Sequence, residues 1–229
     1  HMPYTVDRVY AERTPVAKAL SALGPQEAIT ACGWIRTRRD AKGITFLELN
    51  DGSCLANIQV IVDEGSVAHT QLDQVNTGAS VCVRGKLVES PGKGQKWEIS
   101  AEFITLFGMA DPDTFPLQKK RHSDEFLRGI AHLRPRTNKF GAMFRIRSET
   151  AFAIHEYFRE NGFFQVHTPI LTGADCEGAG EMFRVTTLPV TGPAQKKLEG
   201  TPCPGEDGLF ADDFFGRECN LPVSGKLDA

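Results

Sequence analysis

The chain has 229 residues, room for one large domain or two modest ones, and its apolar fraction of 41% is that of an ordinary globular protein. A net charge of −3 supplies no overall positive field to draw nucleic acid, so any RNA contact must come from a local, shaped patch rather than a general coating surface. No run approaches the ~18 apolar residues of a membrane span, which argues against a membrane partner.

His1-Met2 reads as a cloning remnant rather than part of a signal peptide. Residues 3–27 carry a short helical pattern around Val16, Leu20 and Leu23, stopped by Gly24-Pro25. From residue 28 the period changes to two. Ile29, Ala31, Gly33 and Ile35 alternate with Thr30, Cys32, Trp34 and Arg36. Ile44 to Leu49 predicts a second strand, closed by the turn Asn50-Asp51-Gly52-Ser53. Ile58 to Val62 is a third, Val67 to Val75 a helix, Ser80 to Leu87 a fourth strand. Lys96 to Leu106 is a fifth, after the Pro91-Gly92-Lys93-Gly94 turn. Five strands with a helix between the third and fourth fit the OB-fold, a Greek-key barrel whose outer face binds oligonucleotides. Other small barrels share the pattern.

Residues 107–135 lack periodicity and read as a hinge, with one helical turn near Glu125–Leu127 and a basic cluster at Lys119-Lys120-Arg121-His122. Such a run is ordinarily solvated; RNA-backbone contact is the competing reading. A long helix follows Pro135, capped by Thr137 or Asn138 and ended by Gly162, with Phe140, Phe144, Ala151, Ile154 and Phe158 on one face. Phe163 to Val166 predicts a short strand meeting Pro169, and residues 189–208 a loop insertion. The chain stops straight after the strand-like Leu221-Pro222-Val223-Ser224-Gly225, with no cap or polar tail. The expectation is an α+β chain: a complete barrel and only the opening part of a second domain. Cys32, Cys54, Cys82, Cys176, Cys203 and Cys219 form no C-x-x-C pair, so free, mostly buried thiols of a reducing, cytoplasmic compartment are expected and no metal site.

A barrel that reads single-stranded RNA needs an aromatic face, cations for phosphate and polar groups for base edges. Phe46 points opposite to Leu47 and Leu49, the better core candidates, so it is a candidate stacking platform. Arg36, Arg38 and Arg39 cluster at the end of the first strand. Glu98 repels phosphate but can accept from a base amino or imino group; pairing with Arg36 or Lys96 is the alternative.

The segments G-W-I-R-T-R-R-D (33–40), F-L-E-L-N-D-G-S (46–53) and I-Q-V (58–60) resemble the anticodon-binding barrel of class IIb aminoacyl-tRNA synthetases, the aspartate, asparagine and lysine group. R-H-S-D-E-F-L-R-G-I-A-H-L-R-P-R-T-N (121–138) resembles the hinge and entry helix of the asparaginyl family, and G-F-F-Q-V-H-T-P (162–169) resembles class II motif 1. D-C-E-G-A-G-E-M-F-R-V-T-T-L (175–188) has the asparaginyl rather than the aspartyl form, and D-F-F-G-R-E-C-N-L-P-V-S-G-K-L (213–227) resembles the strand pair that follows. The resemblance implies an OB-fold anticodon-binding domain over 1–109, a hinge over 110–135, and the N-terminal part of a class II antiparallel-sheet catalytic domain over 136–229. Motifs 2 and 3 are absent from it.

It further implies an ATP-dependent ligase that activates asparagine and transfers it to tRNA(Asn), with ATP and Mg²⁺ in the complete enzyme and neither binding tightly to this fragment, which alone would make no adenylate. Phe46 would stack on the central anticodon base, a uridine. Glu98 would read its edge, Arg36 would contact the anticodon backbone or a neighbouring base, and Gln59 is a weaker candidate. Glu177, Gly178 and Ala179 would close over the amino acid, with Glu177 receiving its ammonium group. Ser224 and Lys226 would lie in the substrate strand. There the family has Gln where this chain has Lys226, which lacks an acceptor and repels an ammonium. Phe164, Val166, Pro169 and the helix 139–161 would lie at a homodimer interface. No DNA partner is implied. Alternatives are an aspartyl enzyme, a paralogue making free asparagine, and a non-catalytic tRNA-binding paralogue.

Overall fold

The computed structural model describes residues 12–92, 94–174, 182–188 and 210–223. Described residues up to Thr150 form one compact unit, and those from Ala151 a second. In the first, five strands close a barrel in the order β1-β2-β3-β5-β4: β1 (Gln26–Ala41), β2 (Ile44–Asn50), β3 (Ile58–Asp63), β4 (Ser80–Glu89) and β5 (Trp97–Gly108). Closure pairs β1 with β4, so no strand is left with an open edge. The period-2 pattern explains the layering. Along β2, Thr45, Leu47 and Leu49 are buried while Ile44, Phe46, Glu48 and Asn50 are only half-buried. Ile58, Val60, Val62, Val81, Val83, Leu87 and Ile99 complete the core, and buried Trp97 satisfies its indole by donating to Ala22 O at 3.0 Å.

Two glycines are required by close approach. A Cβ on Gly33 would stand 2.5 Å from Asn50 O, and one on Gly85 only 1.9 Å from Ser100 O, where the β4–β5 register shifts.

The expected N-terminal helix is shorter than its sequence pattern: α1 spans Val16–Leu20, and Leu23 is fully exposed beyond it. Pro15 at its N-cap offers no side-chain acceptor. The β2–β3 turn supplies the acceptors instead, Asp51 Oδ2 to Val16 N and Ser53 Oγ to Ala17 N, both at 2.9 Å. The helix expected over 67–75 is one turn, α2 (Val67–Thr70), capped by Ser66.

After the barrel come α3 (Asp124–Gly129), capped by Ser123, a 3₁₀ turn over Arg134–Arg136, and the long helix α4 (Asn138–Glu160). Thr137 O accepts the first helical bond, from Gly141 N at 2.8 Å. The helix ends as its sequence predicts. Gly162 takes φ 83°, its N–H reaches Arg159 O, and Phe163 N reaches Phe158 O at 3.0 Å, with the two rings edge to face at 5.4 Å.

In the second unit, β6 (Arg184–Val185) and β7 (Cys219–Asn220) pair antiparallel. Two expectations are corrected. Residues 163–166 are not a strand: among the described residues none pairs with their backbone in a ladder. Of the strand expected at 221–225, Leu221–Val223 carry none and Ser224 and Gly225 lie outside the described residues; the described strand lies just before, at Cys219–Asn220, and Pro222 cannot donate to a ladder. The insertion 189–208 falls outside the described residues. Among the described cysteines all are free. Cys82 and Cys219 are buried, whereas Cys32 and Cys54 are only half-buried. No described helix is long and apolar enough to cross a membrane.

Candidate nucleic-acid interface

The barrel register assembles two rows on its outer face. Thr37 faces Glu48, Glu48 faces Gln59, and Gln59 faces Glu98. In the adjoining row Arg39 faces Phe46, Phe46 faces Ile61, and Ile61 faces Ser100. Directly opposed residues share a face, and Phe46 and Glu48 are two apart, so Phe46, Gln59 and Glu98 look out from one surface.

Glu98 is 7% exposed yet pairs with neither Arg36 nor Lys96. Its carboxylate is held by amides: Gln59 Nε2 donates at 3.1 Å and Gln95 Nε2 at 3.2 Å, both to Oε2. Gln95 is itself tied to Ser90 Oγ at 2.8 Å. The arrangement fixes the carboxylate through Oε2, and among the described residues no bond is made to Oε1, which keeps its acceptor capacity. Gln95, in the β4–β5 turn, carried no signal in the sequence. A polar residue in a Gly-Pro turn reads as loop.

The three arginines expected to act together are separated. Arg39 lies over the Phe46 ring, its guanidinium carbon 4.4 Å from the centroid. Arg38 is structural: its Nη1 donates to Leu72 O and Val75 O at 2.9 and 3.2 Å, pinning the segment after α2. Arg36, at the bulge of β1 beyond Ile35, points into a cleft of about 1270 Å³ between the barrel and residues 115–139. There it meets Arg136, whose guanidinium carbon sits 4.3 Å from the Trp34 ring centroid. Burial pushes the Arg36 guanidinium below its ordinary pKa, partly offset by nearby Glu48; burial and the Arg36 charge lower Arg136.

The motif 46–53 is largely architecture. Asn50 Nδ2 donates to Cys54 O, Ala56 O and Asn57 Oδ1, and Asp51 and Ser53 cap α1. In the second unit, Asp213 accepts from Thr186 Oγ1 (2.6 Å), Thr187 Oγ1 (2.6 Å) and Thr187 N (2.8 Å), tying the two strand segments together. These bonds hold its carboxyl well below the usual range. Glu177, Gly178, Ala179, Ser224 and Lys226 lie outside the described residues. Phe164 is 94% exposed and Val166 58%, with Pro169 also exposed.

Comparison with known proteins bears on these surfaces. The family described as OB-fold nucleic acid binding domain matches residues 29–107, and that of tRNA synthetases class II (D, K and N) matches residues 123–193. An asparagine–tRNA ligase of Nitratidesulfovibrio vulgaris is 66% identical over 95% of this chain and 46% of its own length; one of Nostoc sp. is 50% identical over 93% and 45%. Among solved structures, asparaginyl-tRNA synthetase of Pyrococcus horikoshii, complexed with asparaginyl-adenylate, matches with a TM-score of 0.70 at 19% identity, over 95% of this chain and 44% of that one. Aspartyl-tRNA synthetase from Entamoeba histolytica matches at 0.58 and 20% identity over 74% and 42%. These structural likenesses show the shared fold. The chain is similar to asparagine–tRNA ligases and, over residues 123–193, to the class II tRNA synthetases, and it spans under half the length of the curated relatives it matches.

Proposed function

We propose that this chain is the tRNA-reading and substrate-loop portion of an asparagine–tRNA ligase, which activates asparagine with ATP and transfers it to tRNA(Asn). Residues 1–109 would read the anticodon, 110–135 would be the hinge, and 136–229 would open the catalytic domain. The observation that carries the reading is the outer barrel face, where Phe46 and an amide-held Glu98 lie in adjoining rows on β2 and β5. Uridine presents one N–H donor between two carbonyl acceptors. A carboxylate acceptor for that N–H beside the Gln59 amide, whose second N–H can reach a carbonyl, is its complement, and Gln95, with both its N–H groups given to Ser90 and Glu98, holds the carboxylate in place. Phe46 would stack on that base, and Arg36 would take the neighbouring backbone.

Glu177 would receive the substrate ammonium, with Gly178 and Ala179 giving the loop its freedom and Ser224 and Lys226 on the strand beside it. The apolar Phe164, Val166 and Pro169, exposed in the single chain, would be covered in a homodimer. ATP supplies the activating phosphoryl chemistry and Mg²⁺ its charge neutralisation when bound. Among the described residues no three His, Cys, Asp or Glu gather as a metal site. The ligase would work in the cytoplasm.

Titration of the chain with an anticodon stem-loop of tRNA(Asn), followed by band shift, tests the reading. Saturable binding, weakened when the central uridine is replaced by cytidine, is expected. Equal affinity for both RNAs would overturn it.

A further inference from the structure

The barrel–hinge cleft contains a feature that the base-reading face does not use. Arg36 and Arg136 are neighbouring, half-buried guanidinium groups. Among the described residues neither makes an ion pair or a hydrogen bond; Arg136 has only the Trp34 ring beneath it. Glu48 is near Arg36, but its Oε2 is taken by Asn57 Nδ2 at 3.0 Å. Two like charges held together out of bulk water cost free energy unless an anion joins them. The surroundings have the same sign. Six lining residues are Lys or Arg against three Asp or Glu, and one of those acids, Asp124, is already paired with Lys139 at 2.5 Å.

We propose that Arg36 and Arg136 form a phosphate clamp, floored by Trp34, that takes a backbone phosphodiester of the bound RNA. The clamp rests on the reading of the outer barrel face as an RNA surface, and it extends that surface across the hinge. Guanidinium forks match phosphate oxygens in pairs, and a ring beneath the fork fixes its plane. Glu48 links the two regions: it faces Gln59 in the base-reading row and also lines the cleft. A strand laid over Phe46 and Glu98 therefore continues into the clamp. Lys119, Lys120 and Arg121, which line the same cleft, would carry the phosphates that follow.

Sequence reasoning placed Arg36 at the RNA surface and missed Arg136. In L-R-P-R-T the proline blocks a regular helix and the turn divides the arginines. Arg134 goes inward between Phe140 and Phe144, at 5.3 and 5.5 Å, and Arg136 goes outward onto Trp34.

The test uses the full chain and the stem-loop RNA, titrated at several salt concentrations. Arg136→Ala and Arg36→Ala should each weaken binding about tenfold and lower the slope of log affinity against log salt by about one. The loss should be the same whether the central base is uridine or cytidine, since a phosphate contact reads no sequence. Arg136→Lys, which keeps the charge and the fold, should restore the slope but only part of the affinity. RNA should also change tryptophan emission, and Trp34→Phe should abolish that change, because Trp97 is buried. Wild-type affinity and slope in both alanine variants would overturn the clamp while leaving the base-reading face intact. Inorganic pyrophosphate perturbing Trp34 at lower concentration than RNA would overturn it as an RNA site. A chain that binds no RNA at all would overturn both readings.

Discussion

Phe46→Ala isolates the stacking contribution, because the ring stands outside the barrel while Leu47 and Leu49 hold the inside. In the free protein the ring is not bare. Arg39 covers it at 4.4 Å, a contact of about 0.5–1 kcal/mol at an exposed site. A base stacked there contributes about 1–3 kcal/mol. If the base displaces Arg39 from that ring, the net advantage is about 0.5–2 kcal/mol, or about two- to thirtyfold in affinity. Fluorescence anisotropy of a labelled stem-loop at fixed salt measures it. The salt slope should not move, because no charge is removed. An RNA with an abasic central nucleotide should bind Phe46→Ala and the wild type alike. Undiminished affinity of the variant for intact RNA would refute the stacking assignment. So would an equal loss on the abasic RNA, which would place the effect in the fold rather than the stack.

Gln95→Ala leaves Gln59 alone to hold Glu98; the preference for uridine over cytidine should fall by a factor of several with the salt slope unchanged, and competition binding that finds the same preference contradicts the role. Gly85→Ala puts a methyl 1.9 Å from Ser100 O and should cost at least about 1–3 kcal/mol, seen as a lower urea midpoint; an unchanged midpoint would refute the close approach. Burial works to raise the Asp51 carboxyl, but bonds from Ser53 and Val16 outweigh it and the folded pKa is lowered. Its stabilisation is therefore present above the ordinary carboxylate value of about 3.9 and lost as pH falls through the lower folded value. Asp51→Asn should flatten the acid limb of the stability profile, and an identical limb would exclude Asp51 as its source.

Strand alternation made the barrel legible, since one buried face fixes the phase of every strand: Leu47 and Leu49 inward set Phe46 outward without any partner being known. Gly162 was legible as a helix stop because a left-handed residue there needs no Cβ. What failed depended on partners distant in sequence. The pattern at 163–166 has strand-like residues but, among the described residues, no ladder to join. Arg38 belongs with Leu72 O and Val75 O, more than thirty positions away, so adjacency to Arg36 and Arg39 misgrouped it. Glu98 was legible as an anomaly beside basic residues, but the amides that resolve it come from another strand and a turn.

Those placements also separate affinity from selectivity. The row proposed to read the base is acidic, with Glu48 and Glu98 on its face, and it would repel a phosphate that entered it. A chain of net charge −3 gains nothing from long-range attraction to offset that repulsion. Binding strength must therefore come from cations placed beside the row, and the cleft with its surplus of lysine and arginine adjoins it through Glu48. The same repulsion has a use. An RNA shifted by one nucleotide would push a phosphate toward Glu98, which is fixed by Gln59 and Gln95 and cannot turn away. On the proposed reading, a carboxylate held rigid would both accept from the correct base and penalise the wrong register. The arginines, which meet phosphate at every nucleotide, could not make that discrimination themselves.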